Sequence, residues 1–84
     1  MNPDVVEVRV HAPLSFFVRF ADGVCGTVRL AESHLTGVFA TLADPAVFHQ
    51  VQVVDGFVTW PGDIDLAPDA MYAAIRASGE WRLT

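Results

Sequence analysis

Carboxylates supply the densest chemical cluster in the chain. Asp63, Asp65 and Asp69 are spaced Asp-x-Asp-x-x-x-Asp, with Asp55 close by in sequence. Three carboxylates on a loop and a helix start offer the oxygen ligands that Mg²⁺ or Ca²⁺ takes. The EF-hand spacing, its glycine and its terminal glutamate are missing. The structural reading is therefore preferred. Asp69 complements a helix dipole, while Asp63 and Asp65 accept hydrogen bonds from turn amides. No metal and no cofactor is expected.

The nucleophiles and bases are scattered. His11, His34 and His49 offer no i, i+4 pair and Cys25 has no CxxC partner, so zinc is not expected. Cys25 sits on the outer face of a strand beside Arg19, a setting that favours a thiolate. No histidine follows it in a nucleophile signature, and it reads as a small apolar side chain. Ser33-His34 lacks the G-x-S-x-G elbow. The glycines stand singly at turns, with no phosphate-binding motif. No catalytic residue is assigned, and an enzyme is not expected.

What remains is arginine. Arg9, Arg19 and Arg29 fall on the same outer face of three adjacent strands. One reading is a solvated face laced with weak ion pairs; the other is a stripe that docks an acidic partner or a second copy of the chain. Val54 and Phe57, opposed at a hairpin tip, form a second candidate contact.

Alternating strands must carry these groups. Residues 5–10 put Val6, Val8 and Val10 on one face and Glu7 and Arg9 on the other. Pro13 ends that strand. Phe16, Val18 and Phe20 face inward on the next, and Val24, Val28 and Leu30 on a third over residues 24–30. Parity selects a three-residue loop, Ala21-Asp22-Gly23, with Gly23 left-handed. That loop sets Phe20 opposite Val24 and Phe16 opposite Val28, where a two-residue loop would mix core with solvent. Gly26 then faces Val18 and leaves space for a bulky neighbour from a helix. The expected register places Arg9 opposite Ser15, beside Arg29, and Arg19 diagonal to Glu7.

Asp44 caps a short helix over residues 45–50 that opens with Pro45 and turns Val47 and Phe48 inward. Before it, Leu35, Val38, Phe39 and Leu42 anchor an irregular segment with a turn at Gly37. Residues 51–54 and 57–60 flank Asp55-Gly56, a type I′ loop that sets Val53 opposite Val58 and Val51 opposite Trp60. Pro61-Gly62 ends the hairpin. Pro68 opens a helix to about residue 77, stapled by Leu66 and Met71, with Met71, Ala74 and Ile75 buried and Gly79 past its end. Trp81 is expected to fold back onto the core. Grouped strands and segregated helices give an α+β domain: an antiparallel sheet, made of a three-stranded meander plus a β-hairpin, with short helices packed on one face.

The 84 residues are read as one domain, residues 1–84. An apolar fraction of 52% with 18% charged residues excludes disorder. Ten acids against five arginines, with no lysine, give −5, which argues against this domain gripping nucleic acid unaided. The acidic balance also suits a basic protein partner. One cysteine excludes an internal disulfide. Neither a signal-peptide pattern nor an apolar run of spanning length is visible, so a cytoplasmic protein without a membrane role is expected. A few-stranded sheet leaves edges open, and a homodimer is one way to satisfy them.

In chain order, Phe20-Ala21-Asp22-Gly23, Gly37-Val38-Phe39, Leu42-Ala43-Asp44-Pro45, Phe48, Trp60-Pro61 and Asp65-Leu66-Ala67-Pro68-Asp69 resemble a bacterial family, over residues 5–75. It is the family catalogued as domain of unknown function 2442. The resemblance implies a small α+β protein without an established activity, and a motif set of Asp22, Gly23, Asp44, Pro45, Trp60, Pro61, Asp65 and Pro68. It further implies that some members are fused to a helix-turn-helix domain, while others are encoded beside a second small protein as in toxin–antitoxin pairs. The expected function is a non-enzymatic interaction module, the antitoxin-like or accessory member of such a pair, with another small protein as partner. The alternative is a small-ligand or divalent-metal-binding regulator using the 63–69 loop.

Overall fold

The computed structural model describes residues 4–62 and 64–83, apart from the side chains of His34 and Val38. β1 (Val5–Ala12), β2 (Ser15–Phe20) and β3 (Cys25–Leu30) form an antiparallel meander. A 3-10 turn at Glu32–His34, a longer 3-10 stretch at Gly37–Ala43 and helix α1 (Pro45–Phe48) follow. A second meander comprises β4 (Gln52–Val54), β5 (Phe57–Trp60) and β6 (Ile64–Leu66). Helix α2 (Pro68–Ser78) then carries the chain back to β7 (Glu80–Leu83), which lies parallel to β3. The first sheet runs β1-β2-β3-β7.

The fold is α+β, with two strands beyond those expected. Ile64, Asp65 and Leu66 alternate buried, exposed, buried, and pair back onto β5, turning the hairpin into a three-stranded sheet. Trp81 does fold back, as part of β7 opposite Val28. The first sheet is therefore mixed rather than wholly antiparallel: a return through a helix delivers the chain in parallel.

Inside the sheets the inward residues behave as their parity requires. Phe16, Val18, Phe20 and Val28 are fully buried, and Phe16 pairs with Val28 and Val18 with Gly26. Gly23 takes φ +93 in the three-residue loop, whose ends are closed by Phe20 N–H donating to Val24 O at 2.8 Å. Asp55 and Gly56 have φ +52 and +81, as a type I′ loop demands. Val53 pairs with Val58, but β4 begins at Gln52, and Val51 donates to Phe48 O instead of pairing with Trp60. Asp44 caps α1 by accepting from Ala46 N at 2.9 Å, and the helix stops at Phe48 rather than residue 50.

β1 departs from simple alternation. Val5 pairs with Phe20 and Glu7 with Arg19, so Val6 is an extra residue on this strand. The bulge rotates Val5 into the core and leaves Val6 outside, 47% exposed. A second irregularity at His11 follows from the β1–β2 turn. Pro13 fixes one corner, Leu14 takes the other at φ +56, and pairing begins at Ala12–Ser15. That tight turn moves the register by two. Arg9 lies opposite Phe17, not Ser15, and Arg19 directly faces Glu7.

One core joins both sheets. Trp60 packs edge-on against Phe16 with ring centres 5.7 Å apart and stacks on Phe48 at 5.9 Å. Its indole N–H donates to Phe48 O at 3.0 Å, which satisfies the one polar atom that this ring buries. Met71 and Ile75 bring α2 onto the inner face of the first sheet, and Leu42 anchors the 3-10 stretch.

Candidate functional site

With α2, α1 and the second sheet gathered around the core, the opposite face of the first sheet meets solvent. Three rows of side chains cross it. Glu7, Arg19 and Cys25 form one; Arg9, Phe17, Thr27 and Glu80 the next; Ser15, Arg29 and Arg82 the third. Arg9, Arg19 and Arg29 thus share a face, now joined by Arg82 on β7.

The charges form two matching clusters. Glu7 receives Arg19 across the strands at 3.0 Å and Arg9 along its own strand at 2.6 Å. Glu80 receives Arg29 across the strands at 2.6 Å and Arg82 along its own at 2.5 Å. Each glutamate is overmatched. The hydrogen bond from Arg19 is the main cause of a lowered Glu7 pKa, and that from Arg82 of a lowered Glu80 pKa. Both carboxylates therefore hold their charge to a lower pH than a free glutamate does. The arginines remain accessible, with side chains 48–75% exposed.

Between the clusters lies Phe17, half-buried and paired with Thr27. Four of the five arginines and two of the ten acids occupy this face, giving it a formal +2. The whole chain carries −5, so the remaining residues hold −7.

Other candidates separate. Val54 and Phe57 do face each other at the hairpin tip, 44% and 40% exposed, but on the second sheet. Cys25 is exposed beside Arg19. Asp65 is exposed opposite Thr59, and Asp69 lies in the first turn of α2; Asp63 is outside the described residues. Among the described residues no three His, Cys, Asp or Glu side chains come together as a metal site. His11 Nε2 lies 3.4 Å from Ser15 Oγ, and His49 Nδ1 donates to Pro45 O at 2.9 Å. Both histidines border an apolar cleft of about 260 Å³ formed with Leu14, Leu42 and Phe48.

Apart from Asp65, which is exposed on β6 and accepts no turn amide among the described residues, the motif residues serve the fold. Asp22 Oδ1 accepts from Val24 N at 3.0 Å inside the β2–β3 turn, and its Oδ2 accepts the Tyr72 hydroxyl of α2. Tyr72 also packs edge-on against Phe20. Asp44 and Pro45 start α1, Trp60 seals the core before the Pro61-Gly62 turn, and buried Pro68 starts α2. Tyr72 escapes a reading of α2 confined to its buried stripe, and Glu80 and Arg82 escape one that ends the last element at residue 77. The signal for the latter two is the polar–apolar alternation Glu80-Trp81-Arg82-Leu83 after Gly79.

These features define a small α+β protein with two sheets, whose motif residues build the scaffold and whose charged groups concentrate on one open sheet face. A family model described as "Protein of unknown function (DUF2442)" matches residues 5–77, and the chain belongs to that family. No curated protein and no solved structure matches it. Among the described residues no helix is long and apolar enough to cross a membrane.

Proposed function

We propose that the chain is a non-enzymatic protein-interaction module, the antitoxin-like or accessory member of a two-protein bacterial system. It receives its partner on the arginine face of the first sheet. The observation that carries this reading is the +2 face on a −5 chain, built from four arginines around Phe17. Arginine and aromatic side chains dominate the energetics of protein interfaces. The partner is a small protein that presents carboxylates around an apolar side chain able to cover Phe17. Two ionised glutamates on the face, and −7 elsewhere, oppose a polyphosphate backbone but tolerate a mixed protein surface.

The test is co-expression of the tagged chain with the product of the adjacent reading frame. The wild type should retain that product through purification. Arg9→Glu/Arg19→Glu/Arg29→Glu, checked for folding by circular dichroism, should lose it. A product that is never retained, or one held equally by the reversed variant, overturns the reading.

A second reading, a small-ligand regulator, is favoured by the apolar cleft beside His11 and His49. Its occupant would be a small apolar molecule with a polar head within reach of an imidazole. Thermal melts with short aliphatic and aromatic monocarboxylates test it, since a ligand of the folded state raises Tm. An unmoved Tm at millimolar concentration removes it.

A further inference from the structure

We infer that the open edge of β7 is the contact of a two-fold dimer, in which Glu80 of each copy pairs with Arg82 of the other. Among the described residues β7 pairs only with β3. On that side Gly79 O accepts from Thr27 N at 3.1 Å and Leu83 O from Ala31 N at 2.9 Å. Backbone groups alternate along a strand. The odd-numbered residues therefore face β3, and the N–H and C=O of Glu80 and Arg82 face the open side. The Ser78 hydroxyl donates to Glu80 O at 3.1 Å, which leaves that carbonyl a second lone pair.

A second β7 can pair antiparallel about a two-fold axis in few registers. The seam must use the open groups, so Glu80 and Arg82 must occupy its hydrogen-bonded positions. Glu80 opposite Glu80, or Arg82 opposite Arg82, sets like charges face to face. Glu80 opposite Arg82 is the remaining choice. It places opposite charges together twice and forms four hydrogen bonds between the copies. The axis then passes through Trp81, half-buried on the inner face, so that each ring covers the other. Strand order becomes β1-β2-β3-β7 continued by its mirror order in the partner, and the two arginine faces merge. The contact is short, so the dimer is weak and in exchange with monomer. It forms without any other protein and stands independently of the function proposed above.

Sedimentation of the full chain from about 10 µM to about 1 mM should show monomer passing into dimer. Arg82→Pro removes one open-side N–H and leaves the β3 ladder intact. It should keep the circular dichroism of the wild type yet stay monomeric throughout. Arg82→Glu, which sets like charges opposite, should do the same. Register is read with Trp81→Cys in a Cys25→Ser background, which should cross-link on oxidation because facing positions suit a disulfide. A monomer throughout, or a dimer that survives both Arg82 variants, overturns the inference. So does a monomer that binds the adjacent gene product only while residue 82 keeps its N–H, which would assign the edge to that protein.

Discussion

Gly26 lies directly beneath Ile75: a Cβ on Gly26 would stand 2.7 Å from Ile75 Cγ2 and 2.4 Å from Gly79 O. The last turn of α2 thus rests on bare backbone of β3, opposite Val18. Gly79, at φ +80, then releases the chain into β7 beside Thr27. One missing side chain sets the height of α2, the start of β7, and with them the positions of Glu80 and Arg82 on the outer face.

Gly26→Ala should therefore destabilise the domain by about 1–3 kcal/mol, the usual cost of overpacking, although alanine suits a strand better than glycine. Gly26→Val should cost more. Urea denaturation at constant m reads the change. Stability equal to wild type would mean that α2 does not seat where described.

The bulge in β1 separates two adjacent valines. Val5→Ala should cost about 1.5–3 kcal/mol, the worth of a fully buried valine, whereas Val6→Thr should stay within about 0.5 kcal/mol of wild type. Simple alternation ranks them the other way round. Equal effects, or a larger one at Val6, would contradict the bulge.

Stability should fall at both ends of the pH scale. The Tyr72 hydroxyl is the leading cause of a lowered Asp22 pKa, as Arg19 is for Glu7 and Arg82 for Glu80. These carboxyls bind protons more weakly folded than unfolded. Their contribution is complete above the ordinary carboxyl range, about 4 to 4.5, and is lost as pH drops through the folded values. The bond to Asp22 is also the first cause of a raised Tyr72 pKa. That contribution is complete below the ordinary tyrosine value, about 10, and is lost as pH rises through the folded one. Thermal melts of Tyr72→Phe should show a lower plateau by a few degrees, with shallower acid and alkaline limbs. An unchanged profile would contradict the bond.

Much of this fold was legible in the sequence because its strands obey parity. Phe16, Val18 and Phe20 against Val28 and Gly26 fix the Ala21-Asp22-Gly23 loop, since only that loop keeps every large side chain on one side. Asp55-Gly56 and Asp44-Pro45 are local rules with local outcomes. What escaped depends on distant context. Val6 alternates perfectly with Val8, and only the pairing of Val5 with Phe20 and Glu7 with Arg19 reveals the bulge. Leu14 has no intrinsic preference for φ +56; Pro13 and the pairing of Ala12 with Ser15 impose it. β6 and β7 are strands of three and four residues, whose alternation is too short to stand out without a sheet to join. The arginine stripe was readable from parity, but the second glutamate cluster belongs to β7 and waits on that strand.

Binding at the arginine face should weaken with salt. Raising ionic strength from about 0.05 to about 0.5 M shortens the Debye length severalfold and screens exposed charges. Fluorescence anisotropy with single-stranded DNA and RNA oligonucleotides should show no saturable binding at about 0.15 M salt. Saturable binding would turn the face into a polyanion site and exclude the protein-partner reading.

The most direct test is hydrogen–deuterium exchange of the chain alone and with the product of the adjacent reading frame. Added protection should fall on peptides covering Val5–Ala12, Ser15–Phe20 and Cys25–Leu30, the strands that carry Arg9, Arg19 and Arg29, and should disappear when those three arginines are reversed. Protection confined to the Val54–Phe57 hairpin, or no change in any peptide, would contradict docking on the arginine face.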